Sequence, residues 1–183
     1  MLRKNRLFTP GPTPLLPAAQ TAMASFTAHH RTADFKALFQ RVLSDLKEFI
    51  GTKNDVLVLT CSGTGVMEAA VTNLTSPGDK VLVLTAGKFG ERWSGLAKTF
   101  GCHLEELNVP YGETFSLDDI RARMTFDVRA VLVQATESST GVRHDSKASR
   151  RSCASVVTRR CSSSMRSPAW APRISTWTAG AWT

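Results

Sequence analysis

The sequence predicts an α/β fold with a mostly parallel sheet and flanking helices. Two observations predict it: apolar runs of strand length alternate with amphipathic segments of helical period, and glycine-containing turns join several of them. Parallel strands need a crossover connection, so this alternation favours parallel pairing. The chain has 183 residues, enough for one compact domain and few for a two-domain enzyme.

The first elements follow from these patterns in chain order. Residues 8–17 hold four prolines and a glycine, which predicts an extended or turned segment. Residues 35–50 repeat apolar side chains at three- and four-residue steps, which predicts an amphipathic helix ending at Gly51. The unbroken apolar run at residues 56–60 predicts a strand, and a helical pattern follows the turn Ser62-Gly63-Thr64-Gly65.

The same order recurs downstream. Residues 81–84 predict a strand, residues 89–100 a helix, residues 104–107 a short strand and residues 130–135 another strand. Ser116 begins a further helix between the last two strands.

Positive charge is concentrated in the last part of the chain. The formal net charge is +8, but residues 146–183 hold seven basic residues and no acid, so residues 1–145 carry only +1. Three of the four tryptophans also lie in this tail, which has no helical or alternating apolar period. We therefore divide the chain into an arm (1–34), a layered body (35–145) and a tail of different character (146–183).

Composition argues against several protein classes. The chain has no apolar run of membrane-spanning length and no secretory signal pattern, which favours a cytoplasmic protein without membrane contact. The spacing of Cys61, Cys102, Cys153 and Cys161 matches neither zinc ligands nor a disulfide framework, so we interpret them as reduced thiols. The His29-His30-Arg31 segment lacks nearby ligand partners, so no metal site is expected.

The turn Ser62-Gly63-Thr64-Gly65 is the strongest candidate for chemistry. A glycine-rich turn that opens a helix presents backbone N–H groups and the positive end of the helix dipole, which together favour a phosphate. The turn lacks the lysine of a P-loop and the third glycine of a dinucleotide fingerprint, so ATP and NAD are disfavoured. An ordinary helix start without a ligand remains the alternative.

Two further candidates follow predicted strands. Ser138 lies in the polar turn after residues 130–135, and Phe89 follows residues 81–84. Ligands of parallel α/β sheets collect at the carboxyl ends of the strands, where a hydroxyl could hydrogen-bond and an aromatic ring could stack on a flat cofactor. An ordinary polar turn and a core phenylalanine are the alternatives.

Six segments in order resemble one family over about residues 7–145: class V pyridoxal-phosphate-dependent aminotransferases of the alanine–glyoxylate and serine–pyruvate type. The segments are Thr9-Pro10-Gly11-Pro12-Thr13, His30-Arg31-Thr32, Ser62-Gly63-Thr64-Gly65, Ser76-Pro77-Gly78-Asp79-Lys80-Val81, Phe89-Gly90-Glu91-Arg92-Trp93 and Glu137-Ser138-Ser139-Thr140-Gly141-Val142. The resemblance implies part of the large domain of fold-type I pyridoxal enzymes, which are homodimers with sites at the subunit interface.

The resemblance also implies roles for individual residues. Thr64, Gly65 and Val66 would hold the cofactor phosphate, although relatives often carry histidine at the place of Val66. Phe89 would stack on the pyridine ring, where relatives often have tryptophan. Ser138 would hydrogen-bond near the ring, and Gly11 would line the pocket for the substrate carboxylate.

The activity implied is transfer of an amino group from alanine or serine to glyoxylate or pyruvate, with pyridoxal 5'-phosphate as cofactor. Another class V activity, a phosphonate or phosphoserine transaminase, is the alternative. The family places its cofactor-binding lysine and ring-nitrogen aspartate downstream of the Ser138 turn, where this chain has its basic tail. We therefore expect the chain as given to be truncated and inactive alone.

The tail itself suggests a shifted reading frame. When each codon is read one nucleotide earlier, residues 162–183 can encode an apolar strand that ends in aspartate, as the resemblance requires. This predicts a frameshift near residues 145–147. A rival hypothesis is a nucleic-acid-binding protein that uses the arginines and tryptophans of the tail; our primary interpretation includes no nucleic acid partner.

Overall fold

A computed structural model describes residues 8–9, 11, 13–25, 28–145 and 148. The described residues divide between Thr60 and Cys61 into two compact units. Apart from Ala148, the tail and its proposed frameshift lie outside the described residues. The arm–body boundary at residues 34 and 35 stays a prediction.

The first unit contains two helices, α1 (Pro17–Met23) and α2 (Ala33–Ile50). The short α1 begins at the last residue of the segment 8–17 that was predicted to be extended or turned. Pro17 occupies its first turn, where the missing N–H of proline costs nothing. The predicted helix over residues 35–50 is confirmed as α2. The Thr32 hydroxyl accepts a hydrogen bond from Phe35 N at its start, and Gly51 ends it in the left-handed conformation at φ 71°.

The predicted strand at residues 56–60 is wrong for the part of the chain that the structure describes. These residues form no strand pairing there, and the side chains of Leu57, Val58 and Leu59 are 72%, 53% and 46% exposed. An apolar run favours burial, but a strand also needs a neighbour to take its backbone hydrogen bonds. The sequence pattern showed that these residues favour burial, but it could not show whether a neighbouring strand pairs with them.

The second unit alternates helices and strands. Its elements are α3 (Gly63–Leu74), β1 (Lys80–Thr85), α4 (Lys88–Thr99), β2 (His103–Asn108), α5 (Leu117–Arg123), β3 (Val128–Val133), β4 (Thr136–Glu137) and β5 (Val142–Arg143). The main sheet has the order β2-β1-β3 and is parallel throughout, whereas β4 and β5 form a small antiparallel pair. The predicted α/β fold with a mostly parallel sheet is confirmed.

The central strand β1 divides the core in two. Val81 and Val83 point to one face, where they pack in a cluster with α3 and α4, while Leu82 and Leu84 point to the other face. All four side chains are almost completely buried. Burial on both faces explains why β1 reads as a continuous apolar run, as expected for a central parallel strand.

Parallel pairing fixes where the polar turns lie. Leu84 of β1 is in register with Val133 of β3, so both strands end at the same edge of the sheet. The segments that follow them, residues 86–90 and 134–141, therefore meet at this edge. None of the helices in the described ranges is both long and apolar enough to cross a membrane.

Candidate functional site

The first turn of α3 contains the predicted phosphate-binding residues Thr64, Gly65 and Val66. Ser62 is its N-cap residue, yet the Ser62 side chain makes no capping hydrogen bond. The helices α2 and α5 differ, since Thr32 and Ser116 each accept a bond from a first-turn N–H group. The α3 terminus is thus left without the side-chain acceptor that usually occupies this position.

Gly65 is required by close packing inside this turn. A Cβ at position 65 would lie 2.8 Å from Cys61 Cβ and 2.9 Å from Cys61 Sγ, closer than real Cβ contacts. Gly65 N also donates to Ser62 O at 3.0 Å, which tightens the turn. The glycine therefore allows the chain to fold back over Cys61 at the point where the helix begins.

The first turn of α4, unlike that of α3, is capped by side chains from another part of the chain. The Glu137 side chain is 0% exposed, and its carboxylate accepts hydrogen bonds from Phe89 N at 3.3 Å and from Gly90 N at 3.0 Å. Ser139 Oγ completes the arrangement: it donates to Glu137 Oε1 at 2.6 Å and accepts from Lys88 N at 3.1 Å. A carboxylate at a helix N-terminus is favoured by both hydrogen bonding and the helix dipole.

Sequence reasoning did not single out Glu137. The available signal was an acidic residue at the start of a hydroxyl-rich turn that directly follows an apolar strand. Gly87 makes room for it, because a Cβ at position 87 would lie 2.5 Å from Glu137 Cγ and 2.6 Å from Ser139 Oγ. Two sequence-distant positions therefore fit together only because one of them has no side chain.

The two helix starts consequently differ in what they can bind. The first N–H groups of α4 are occupied by Glu137 and Ser139, so an external anion would meet a carboxylate there. The start of α3 has no such side chain from its N-cap residue. Of these two neighbouring helix starts, α3 is the one that suits an anion.

Arg92 connects the α3 turn to the predicted aromatic residue. Arg92 Nη1 donates to Thr64 Oγ1 at 3.0 Å, and the guanidinium carbon lies 5.2 Å from the centre of the Phe89 ring. The half-buried Phe89 is in turn held by Glu137 through its backbone N–H. The structure thereby brings Thr64 and Phe89 together, with Ser138 on the turn that Glu137 begins.

Ser138 and Gly11 are the other two predicted site residues. Ser138 is exposed, and its hydroxyl has no hydrogen-bond partner among the described residues. Gly11 lies in the first unit, so its role at a substrate carboxylate stays a prediction. The rings of His29 and His30 stack 5.1 Å apart, and no three His, Cys, Asp or Glu side chains converge as a possible metal site within the described ranges.

An exposed charged cluster borders Phe89. Lys88 Nζ lies 2.8 Å from Glu91 Oε2, and the Tyr111 hydroxyl donates to Glu91 Oε1. The hydrogen bond to Glu91 raises the pKa of Lys88, and the same bond lowers the pKa of Glu91. The negative charge of Glu91 is therefore engaged by Lys88 and Tyr111 and does not pair with Arg92.

His144, three residues after Gly141, is buried. Burial lowers the pKa of His144, and the nearby Glu137 carboxylate opposes this shift. Its Nδ1 atom lies 3.1 Å from Thr114 Oγ1, and its ring contacts Phe115. These contacts describe a packing residue that supports the turn.

The sequence profile of the family described as "Aminotransferase class-V" matches residues 8–157. The chain is 39% identical over 146 residues to the soluble hydrogenase 42 kDa subunit of Anabaena cylindrica, covering 78% of this chain and 38% of that protein. It is 33% identical over 156 residues to the L-aspartate–glyoxylate aminotransferase of Paracoccus denitrificans, covering 82% and 39%. The chain therefore spans well under half the length of these relatives.

Solved structures agree on the fold. The aspartate aminotransferase of subgroup IV from Thermus thermophilus is similar with a TM-score of 0.78 and 38% identity, covering 82% of this chain and 42% of that one. Such neighbours are fold-type I pyridoxal-phosphate enzymes, and the described α/β unit corresponds to part of their large domain. The resemblance inferred from the sequence motifs is confirmed: the chain belongs to the class V aminotransferase family.

Proposed function

We propose that this chain forms the cofactor-holding part of a transaminase that moves an amino group from alanine or serine to glyoxylate or pyruvate. The phosphate of pyridoxal 5'-phosphate would bind at the first turn of α3, through Thr64, Gly65 and Val66. The observation that carries this proposal is the contrast between the two helix starts: Glu137 fills that of α4, while Ser62 leaves that of α3 uncapped.

The residues present fit the cofactor chemically. A phosphate suits the uncapped helix start, which Gly65 keeps tightly folded. A pyridine ring suits the aromatic face of Phe89, and the ring substituents suit a hydroxyl such as Ser138 that has no partner among the described residues. When bound, the cofactor supplies the group that accepts the amino nitrogen and an electron-withdrawing ring.

The contribution of these residues is binding and orientation. Glu137 fixes the backbone of Phe89, which sets the plane of the aromatic ring relative to α3. Gly11 would leave room for the substrate carboxylate. We expect no turnover by the 183-residue chain alone, since its tail lacks the family's lysine-bearing pattern.

Pyridoxamine 5'-phosphate tests the binding half of the proposal. It has no aldehyde and cannot react with surface lysines, so titration calorimetry of the purified chain measures the binding site itself. Replacing Phe89 with alanine should weaken binding about three- to tenfold, the effect of losing one aromatic stack. Replacing the exposed Phe126 with alanine is the matched control and should leave the affinity unchanged.

A parent chain that does not bind the probe, or a Phe89→Ala variant that binds it as tightly as the parent, would remove the assigned site. The expected absence of turnover is tested by assaying the chain with pyridoxal phosphate, glyoxylate or pyruvate, and alanine, serine or aspartate as donor; formation of the amino-acid product would contradict it. Aspartate belongs in the assay because the relative from Paracoccus denitrificans is named for it.

We also propose, on family membership, a cytoplasmic homodimer that binds no nucleic acid. Sedimentation of the full chain tests the oligomeric state, and a salt-dependent shift of labelled DNA would contradict the exclusion of nucleic acid.

A further inference from the structure

We propose that Arg92 is a phosphate-binding residue of this site, a role that rests on the proposed function. No phosphate-binding side chain with a positive charge is present in the turn Ser62-Gly63-Thr64-Gly65, and Val66 has no side-chain donor. The structure places the Arg92 guanidinium against this turn, where Arg92 Nη1 donates a hydrogen bond to Thr64 Oγ1 at 3.0 Å.

Charge balance favours a cation at this position. A phosphate monoester carries about −1.5 to −2 at pH 7. The start of a helix supplies the equivalent of about half a positive charge. The backbone of α3 therefore compensates only part of the phosphate charge, and a guanidinium next to Thr64 would compensate much of the remainder.

The Arg92 guanidinium is also available to bind an anion. It makes no ion pair with any carboxylate of the described residues, and Glu91, on the same helix, is engaged by Lys88 and Tyr111. Arginine has five N–H donors, and the bond to Thr64 uses one. The side chain is exposed, so a ligand at the start of α3 can reach the other donors.

Arg92 is held in place from two sides. Its guanidinium lies over the Phe89 ring, three residues earlier on the same face of α4, and its Nη1 atom is bonded to Thr64. The guanidinium therefore lies against the Phe89 ring and also reaches the first turn of α3. One side chain thereby couples the ring-binding and phosphate-binding parts of the site.

Two probes separate a phosphate contact from an effect on Phe89. Pyridoxamine phosphate affinity is measured by calorimetry on the full chain, and inorganic phosphate is measured as its competitor. Loss of one charge-assisted contact in Arg92→Gln should raise both dissociation constants about tenfold and by the same factor. Arg92→Lys keeps the charge without the planar fork and should fall between parent and Arg92→Gln.

Arg121→Gln is the matched control, since it removes the same charge from α5 and should leave both constants unchanged. Because Arg92 is exposed, its variants should keep the thermal midpoint of the parent. If Arg92→Gln weakens pyridoxamine phosphate but not inorganic phosphate, or neither, the assignment to the phosphate is wrong. If the parent binds neither probe, the proposed function fails and this inference with it.

Discussion

Glu137 and Arg92 are two charged residues of the candidate site that differ in burial. The Glu137 carboxylate is buried, and its charge is met by backbone N–H groups and by Ser139. Arg92 is exposed and keeps donors free for a solute. The first is therefore suited to fixing the backbone, and the second to contacting a ligand.

Burial of His144 predicts that the stability of the folded chain depends on pH. Burial lowers its pKa below the ordinary 6.5, so the unfolded chain binds a proton that the folded chain does not. Stability contributed by the neutral ring is complete above about pH 6.5 and is lost as the pH falls below it. Urea unfolding at pH 7.5 and 5.5 should show this loss in the parent and a smaller loss in His144→Asn.

The exposed His103 is the control for that measurement. The His103→Gln variant removes an exposed imidazole instead of the buried one and is measured in parallel at both pH values. An equal loss of stability in the parent and in His144→Asn between these pH values would contradict the role given to His144.

At the scale of elements, the site depends on two helices and the turn between β3 and β5. The turn at residues 137–141 reaches the start of α4 because β1 and β3 are parallel and end at one edge. Glu137 then joins the turn to the helix. The position of Phe89 is set by this junction and not by α4 alone.

Glu137→Gln should weaken the junction. The amide has one acceptor oxygen, and its NH2 group would face a backbone N–H, so a buried donor loses its partner. We expect a loss of about 1–3 kcal/mol in the free energy of unfolding, measured by urea titration. Glu113→Gln, at an exposed position, should change it by less than about 0.5 kcal/mol. Equal stabilities of the two variants would contradict the junction.

At the scale of the whole molecule, the second unit has a well-buried sheet while the first unit exposes apolar side chains. Residues 57–59 are the clearest case, because their sequence is that of a buried strand and their side chains lie largely in solvent. Exposed apolar surface of this kind favours association between molecules.

We therefore expect Leu57→Lys to reduce self-association of the purified chain. Light scattering against protein concentration should show a smaller mean particle for this variant. Thr60→Lys adds the same charge at a nearby polar position and should have a weaker effect. Unchanged scattering in Leu57→Lys would show that residues 57–59 do not drive association.

Local patterns were enough to predict most elements of the second unit. The continuous apolar run of β1, the helical period of α4 and the Ser116 cap of α5 each reflect short-range chemistry. The same reasoning failed at residues 56–60, since the pattern there states a preference for burial and contains no information about a pairing strand. It also did not predict α1, which begins at Pro17, the last residue of the proline-rich segment 8–17.

Short-range patterns were sufficient to identify the family, the alternation of strands and helices, and the glycine-rich start of α3, because these depend on residues close together in the chain. The three-dimensional arrangement was needed to show which helix start lacks a side-chain cap and which charged side chain lies against it. Glu137 reaches Phe89 across 48 residues and Arg92 reaches Thr64 across 28, and no local pattern specifies such pairs. They form because parallel strands carry distant turns to one edge of the sheet, where Gly87 leaves the space that the Glu137 side chain fills.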